Sequence, residues 1–313
     1  RADAVDAVLA MVERADALIE GYRPGVAERL GIGPEQCWTH NAALVYGRMT
    51  GWGQDGPLAA SAGHDISYIA VTGALHAIGR SGGPPQVPVN LLGDYGGGGM
   101  YLVAGLLAAL READRTGSGQ VVDAAIVDGT AHLLAGTHAL LNTGTWRDER
   151  GVNSLDGGAP FYSVYETSDG RYMAVGALEP KFYAALLACL GLGAESVADQ
   201  YDVTDWPALR ERIAEAFAEA TQQEWTERFA GTDACVAPVL SLVEAASHPH
   251  IRDRKALVSE DGFLQPAPAP RFSRHPASLP DRPAPYGRDT RRVLAEWGID
   301  PDPLLESGAA TTA

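Results

Sequence analysis

Ala17-Leu18-Ile19-Glu20 runs into Gly21-Tyr22-Arg23-Pro24-Gly25, Val26–Leu30 follows at helical spacing, and Ala43-Leu44-Val45-Tyr46-Gly47-Arg48-Met49 returns as a second apolar run. The order is strand, glycine-proline turn, short helix, strand. A strand that returns after a helix lies parallel to the first, so this stretch predicts a parallel sheet in an α/β fold. The second run closes on Thr50-Gly51-Trp52-Gly53. Ligands of open parallel sheets bind outside the carboxyl ends of the strands. The turns at 22–25 and 50–53 are therefore candidate ligand contacts.

Upstream, residues 4–14 have helical periodicity, with Val8, Leu9 and Val12 on one side. Residue 1 is Arg, and the chain opens in helix-like sequence where an α/β domain ordinarily opens with a strand. This predicts that an N-terminal part of the large domain precedes the sequence given.

Downstream, Asp94-Tyr95 leads into the four glycines 96–99, and an apolar helix is expected from Met100 to about Glu112. Thr116-Gly117-Ser118-Gly119 is a turn, a strand begins at 120–122, and residues 126–141 read as one helix. The texture changes near Gly151. Gly157-Gly158-Ala159-Pro160 is linker-like, and the runs 161–167 and 171–175 flank Ser168-Asp169-Gly170, a hairpin signal. Helices are expected at 181–190, 209–218 and 222–229. The stretch 265–271 is proline-rich and extended, and a last helix is expected over 288–297. These changes divide the chain into a large domain over 1–135, a linker over 136–160, a smaller α+β domain over 161–250, and a return segment over 251–313 that packs on the large domain.

Composition narrows the function. The 313 residues carry a net charge of −16, which disfavours a phosphate-backbone partner. A few arginines can still make a local anion site. The longest apolar stretch, 100–110, is too short to span a bilayer. No basic start precedes an apolar run, so the expected location is the cytoplasm. The three cysteines, Cys37, Cys189 and Cys235, are far apart with no C-x-x-C spacing. They are expected to be buried, unpaired thiols rather than metal ligands or disulfides. Residues 308–313 are the one stretch expected to lack order.

Several residues could carry chemistry. The glycines at 96–99 lack a following Gly-Lys-Ser/Thr and lack the G-x-G-x-x-G frame, so they do not form a nucleotide loop of either kind. Asp94 before a helix reads first as an N-cap. The glycines after it would leave the helix start bare, so that its N–H groups could stabilise an oxyanion. His64, in Ala62-Gly63-His64-Asp65, lies just past the second strand's turn. His76, His132 and His138 fall in apolar stretches and read as packing residues. His248 and His250 flank Pro249 without a third ligand in view, so no metal site is expected. Glu179, in Leu178-Glu179-Pro180, reads as a helix N-terminal acid. Arg23 and Arg29 flank the first turn and read as surface arginines. From residues alone the description stops at an α/β enzyme with an anion site.

Longer motifs go further. Gly21-Tyr22-Arg23-Pro24-Gly25, Arg29-Leu30-Gly31, Thr50-Gly51-Trp52-Gly53-Gln54, Leu92-Gly93-Asp94, Gly117-Ser118-Gly119-Gln120-Val121-Val122-Asp123 and Asp156-Gly157-Gly158-Ala159-Pro160 resemble the family III CoA-transferase superfamily, and within it the alpha-methylacyl-CoA racemase branch. The likeness runs along essentially the whole chain. It implies a Rossmann-like large domain, a smaller α+β domain and an interlocked homodimer. It also implies an acyl-CoA substrate, with CoA belonging to the substrate rather than acting as a cofactor. Transferases of the superfamily use an aspartate at the position of Asp94 as a nucleophile and generally lack a histidine at the position of His64. The racemases use both residues as bases. Because Gly63-His64-Asp65 and Gly93-Asp94 occur together here, the resemblance implies a racemase acting on 2-methylacyl-CoA. CoA transfer through Asp94 and an inactive binding module are the alternatives. It further implies that Glu179 hydrogen-bonds His64, that Asn90 supports Asp94, and that Arg23 and Arg29 meet CoA. Gly51, Asp65, Tyr68, Tyr95, Gly96 and Gly97 complete the expected substrate contacts.

Overall fold

The computed structural model describes residues 1–193, 200–279 and 282–313. The chain forms two compact units, residues 1–153 with 284–313 and residues 154–283.

The first unit opens with α1 (Ala2–Val12), β1 (Ala17–Glu20), α2 (Val26–Leu30), α3 (Pro34–His40) and β2 (Val45–Thr50). Then come α4 (Asp65–Val71), α5 (Ala74–Ala77), a π-helix (Leu91–Gly99) continuous with α6 (Met100–Thr116), β3 (Val121–Ala125), α7 (Ile126–Leu133) and α8 (Ala135–Asn142). The three strands form a parallel sheet in the order β1-β2-β3, with Ala17 beside Val45 and Tyr46 beside Val121. The parallel sheet expected from the opening stretch is thus present.

Apolar burial explains the layering. Val45 on β2 packs with Leu102, Leu106, Ala109 and Ala113 of α6 and Ala124 of β3. A second cluster joins Val12, Cys37, Leu44 and Tyr46, and the Tyr46 hydroxyl donates to the Ile32 carbonyl at 2.8 Å. The π-helix and α7 approach backbone to backbone. A Cβ at Gly129 would stand 1.8 Å from the Gly97 carbonyl oxygen, so only glycine allows the contact.

The second unit contains β4 (Tyr162–Glu166), β5 (Tyr172–Gly176), α9 (Pro180–Cys189), α10 (Trp206–Phe217), α11 (Gln222–Phe229), β6 (Val236–Pro238), α12 (Leu242–Ala245), α13 (Pro249–Asp253), β7 (Leu257–Glu260) and β8 (Phe263–Pro266). Its antiparallel sheet runs β4-β5-β6. The hairpin read around Ser168-Asp169-Gly170 is its first pair. Thr221 starts α11 with a capping box, its hydroxyl accepting from the Glu224 N–H while the Glu224 carboxylate accepts from the Thr221 N–H. The helices α14 (Thr290–Glu296) and α15 (Pro301–Ser307) belong to the first unit.

Several expectations are corrected. The single helix read over 126–141 is two, interrupted at Leu134 with ψ near 5°. The extended reading that began at 265 overlooked a hairpin, β7-β8, turned by Asp261 and Gly262 at φ 48° and 78°. Within the C-terminal stretch expected to lack order, residues 309–311 are hydrogen-bonded: the Ala309 and Ala310 N–H groups donate to the Leu304 carbonyl, and the Thr290 hydroxyl donates to the Thr311 carbonyl. His76, His132 and His138 are exposed rather than buried, although the His132 ring packs edge-on against Tyr101. Their helices are apolar in sequence, yet α8 buries none of its residues. Cys37 is buried as expected, but Cys189 is half-buried and Cys235 is exposed.

Candidate active site

The site is built around the end of β2. The Gly53 N–H donates to the Thr50 hydroxyl at 3.0 Å and closes the turn that follows the strand. The Tyr68 ring, from α4, lies against that turn: a Cβ at Gly51 would fall 2.0 Å from the Tyr68 ring, and one at Gly63 would fall 2.5 Å from it. Trp52 meets Tyr68 edge-on, with ring centroids 4.8 Å apart. Burial pushes the Tyr68 phenol above its ordinary pKa, and the nearby negative charge of Asp94 pushes the same way.

His64 is the residue before α4. Its backbone is extended and its carbonyl accepts from the Ser67 and Tyr68 N–H groups. Its side chain does not cap the helix, and the imidazole is exposed, with no hydrogen bond among the described residues. Asp65, the first residue of α4, is buried. Its Oδ1 accepts the Asp94 N–H at 2.8 Å. This bond joins the start of α4, where His64 sits, to the helix that carries Asp94. Asn90 donates through Nδ2 to Asp94 Oδ2 at 3.2 Å. The structure therefore brings Gly51, His64, Asp65, Tyr68, Asn90 and Asp94 into one cluster.

The helix start differs from the expected one. Asp94 is not an N-cap. Helical bonding begins three residues earlier, with Asn90 in the capping position. The Tyr95 N–H donates to the Asn90 carbonyl and the Met100 N–H to the Tyr95 carbonyl, each five residues back. A π-helix occupies the N–H groups of the glycines internally, so they do not form a bare helix end. Gly97 is buried against α7, where an added Cβ would stand 2.4 Å from Thr130 Oγ1. Gly96 is half-buried and Tyr95 is exposed. Gly97 is thus a packing glycine, and the expected N–H cradle at 96–99 is absent.

Arg23 and Arg29 lie on the turn after β1 and on α2. Both are exposed, and neither forms an ion pair among the described residues. That leaves two guanidinium groups available to an anion at the carboxyl end of the sheet. The residue that sequence reading missed is Arg48. It lies on β2 and is only 8% exposed. Its guanidinium pairs with Glu28, donates to Gln54 Oε1 at 2.6 Å, and lies 3.7 Å from Glu20. Glu20 in turn accepts the Tyr22 N–H at 2.6 Å. One buried cation thus ties the end of β1, α2 and the turn after β2. Burial raises the Glu20 carboxyl above its ordinary range, whereas the hydrogen bond from Arg48 lowers Glu28. The available signal was a charged residue inside an apolar strand.

Glu179 belongs to the second unit, where it follows β5 and precedes α9. Its carbonyl accepts from the Phe182 and Tyr183 N–H groups, and the residue is exposed. Among the described residues no group of His, Cys, Asp and Glu could hold a metal ion, and no helix is long and apolar enough to cross a membrane.

Comparison with known proteins gives the family of the chain. CoA-transferase family III matches residues 1–290, and the chain belongs to that family. It is 45% identical over 308 residues to a Mus musculus protein named alpha-methylacyl-CoA racemase, covering 98% of this chain and 81% of the relative. The Homo sapiens protein of the same name is 43% identical over 298 residues, covering 95% and 78%. Among solved structures, a CAIB/BAIF family protein from Brucella suis superposes with a TM-score of 0.78 at 23% identity, covering 94% of this chain and 78% of that one. This last likeness supports the fold alone.

Proposed function

We propose that this chain inverts the C2 centre of 2-methylacyl-CoA thioesters by moving a proton through an enolate. The observation that carries the reading is the Asp65–Asp94 hydrogen bond, which links the residue after His64 to the main chain of Asp94, in a chain 45% identical to a protein named alpha-methylacyl-CoA racemase. The thioester carbonyl acidifies the neighbouring C–H. One side chain removes that proton and leaves a planar enolate. The other side chain delivers a proton to the opposite face, which inverts the centre. His64 takes the proton from one epimer and Asp94 from the other, so they begin each direction in opposite protonation states. The net change is a proton transfer without oxidation or reduction, and CoA enters as part of the substrate.

The other residues have supporting roles in this reading. Asn90 orients the Asp94 carboxylate through its hydrogen bond. Arg23 and Arg29 meet the anionic end of CoA, whose remote binding energy positions the acyl group. The assignments of Glu179 to His64 and of a homodimer to the assembly rest on the family resemblance.

The test is exchange of the α-proton with deuterated solvent, measured for each epimer separately. His64→Ala should block proton removal from one epimer and leave the other exchanging. Asp94→Ala should show the mirror image. Net epimerisation should fall ~10²–10⁴-fold in both, the usual contribution of a positioned acid or base. A covalent adduct trapped on Asp94 by hydroxylamine during turnover, with no deuterium entering C2, would replace this reading with CoA transfer.

A further inference from the structure

We infer that Asp65 is a positioning residue that fixes the placement of Asp94 relative to His64. This rests on the two-base reading above and gives the Asp65 carboxylate a role other than substrate contact. The residue is 6% exposed, and burying a carboxylate is costly unless its bonds repay the lost hydration. Asp65 is the first residue of α4, one past the capping position held by His64. The Ser67 and Tyr68 N–H groups donate to the His64 carbonyl and do not engage the Asp65 carboxylate. The Asp65 carboxylate reaches 29 residues along the chain, and Oδ1 accepts the Asp94 main-chain N–H at 2.8 Å. Its other oxygen, Oδ2, is buried and has no hydrogen-bond partner. The carboxylate is thus committed to one bond.

The partner helix of the contact is shaped to receive it. Gly93 precedes Asp94, and a Cβ there would stand 2.3 Å from Asp65 Oδ1 and 3.0 Å from Ile69 Cγ2. Any side chain at 93 would drive the two helices apart. The resulting link has two members, the His64–Asp65 peptide bond and the Asp65–Asp94 hydrogen bond. It sets the main-chain atom from which the Asp94 side chain projects against the helix start that His64 precedes. A two-base reaction depends on that separation, since both groups must reach opposite faces of one carbon.

The experiment compares Asp65→Ala, Asp65→Asn and Asp65→Glu, with thermal melting to confirm folding. Asp65→Asn keeps an acceptor oxygen at the same reach, Asp65→Ala removes it, and Asp65→Glu displaces it by one methylene. We expect kcat to fall ~10²-fold in Asp65→Ala and Asp65→Glu, the usual cost of misplacing a reacting group by about 1 Å. KM should be nearly unchanged. Asp65→Asn should recover most of kcat. The loss should fall harder on the epimer whose proton Asp94 removes. Hydrogen–deuterium exchange of a peptide spanning 91–95 reads the bond itself, and should speed up in Asp65→Ala but not in Asp65→Asn. Unchanged exchange in Asp65→Ala overturns the inference whatever the enzyme's mechanism. So does a rise in KM at constant kcat, which would mark a ligand contact, or wild-type kcat in Asp65→Glu. If the His64 and Asp94 variants lack opposite epimer preferences while the exchange result holds, the two-base reading fails and the link between the helices stands.

Discussion

In the second unit Phe161, Tyr165, Tyr183, Trp206, Phe217, Trp225 and Phe229 pack into one core. Its polar tips are paired: the Tyr165 hydroxyl donates to the Pro160 carbonyl and the Trp225 indole N–H to the Phe217 carbonyl at 2.8 Å. The core of the first unit is built differently. Its apolar clusters are smaller and, Tyr46 and Trp38 apart, mainly aliphatic, and Glu20, Arg48, Asp65 and Thr130 are buried in the same unit. Several buried polar atoms there have no hydrogen-bond partner, including Arg48 Nε, Trp52 Nε1, Asp65 Oδ2 and Thr130 Oγ1, whereas the second unit holds Gln200 Oε1. Unpartnered buried polar groups cost stability, so they are expected where function rather than packing fixes the residue. All the residues assigned here to proton transfer, except Glu179, lie in the unit that bears most of this cost.

The comparison predicts that the two cores respond to different insults. In the aromatic core, Trp225→Ala leaves a large cavity and should destabilise the protein by ~3–5 kcal/mol, read as a lower midpoint in urea unfolding. In the first unit, Arg48→Ala should cost a similar ~3–5 kcal/mol, although it removes no large apolar group, because Glu20 is left buried without its cation. The double variant Arg48→Met, Glu20→Gln should recover most of that loss, since removing both charges abolishes the uncompensated one. No such rescue is expected for Trp225→Ala from any change of charge. A double variant as unstable as Arg48→Ala would show that Arg48 acts through packing, and the contrast between the cores would collapse.

The legible part of this fold and the hidden part divide along the same line. The parallel strands were readable because apolar runs and glycine-proline turns are local signals. The Asn90–Asp94 pair followed the family pattern, and its spacing of four suits one helix face. The hairpin turned by Asp261-Gly262 carries its own local signal, an Asp-Gly pair between two short runs. The Asp65–Asp94 bond was not readable, because it joins a side chain to a main-chain N–H across 29 residues. The π-helix was hidden for another reason: a run of glycines has no hydrophobic period, so nothing marks the helix as beginning at Leu91. The exposure of His76, His132 and His138 was hidden as well, because apolar sequence does not require burial, as α8 shows.

The smallest predicted effect sharpens the comparison at a single atom. Thr130 on α7 is fully buried, and its hydroxyl has no hydrogen-bond partner. The hydroxyl sits where a Cβ on Gly97 would fall, 2.4 Å from it, so the side chain fills the space that glycine leaves. If that is its function, shape matters and polarity does not. Thr130→Val keeps the branched shape and removes the unpaired hydroxyl, a change of ~1–3 kcal/mol at most in favour of the folded state. Urea unfolding should therefore show Thr130→Val at least as stable as the parent, with epimerisation unchanged. The reverse case, Gly97→Ala, adds the Cβ and should lose stability, because Thr130 N as well as Oγ1 stands in its way, at 2.7 Å. A Thr130→Val protein that is clearly less stable would mean that the hydroxyl is satisfied in solution, and the first unit would then hold one fewer polar group buried at a cost.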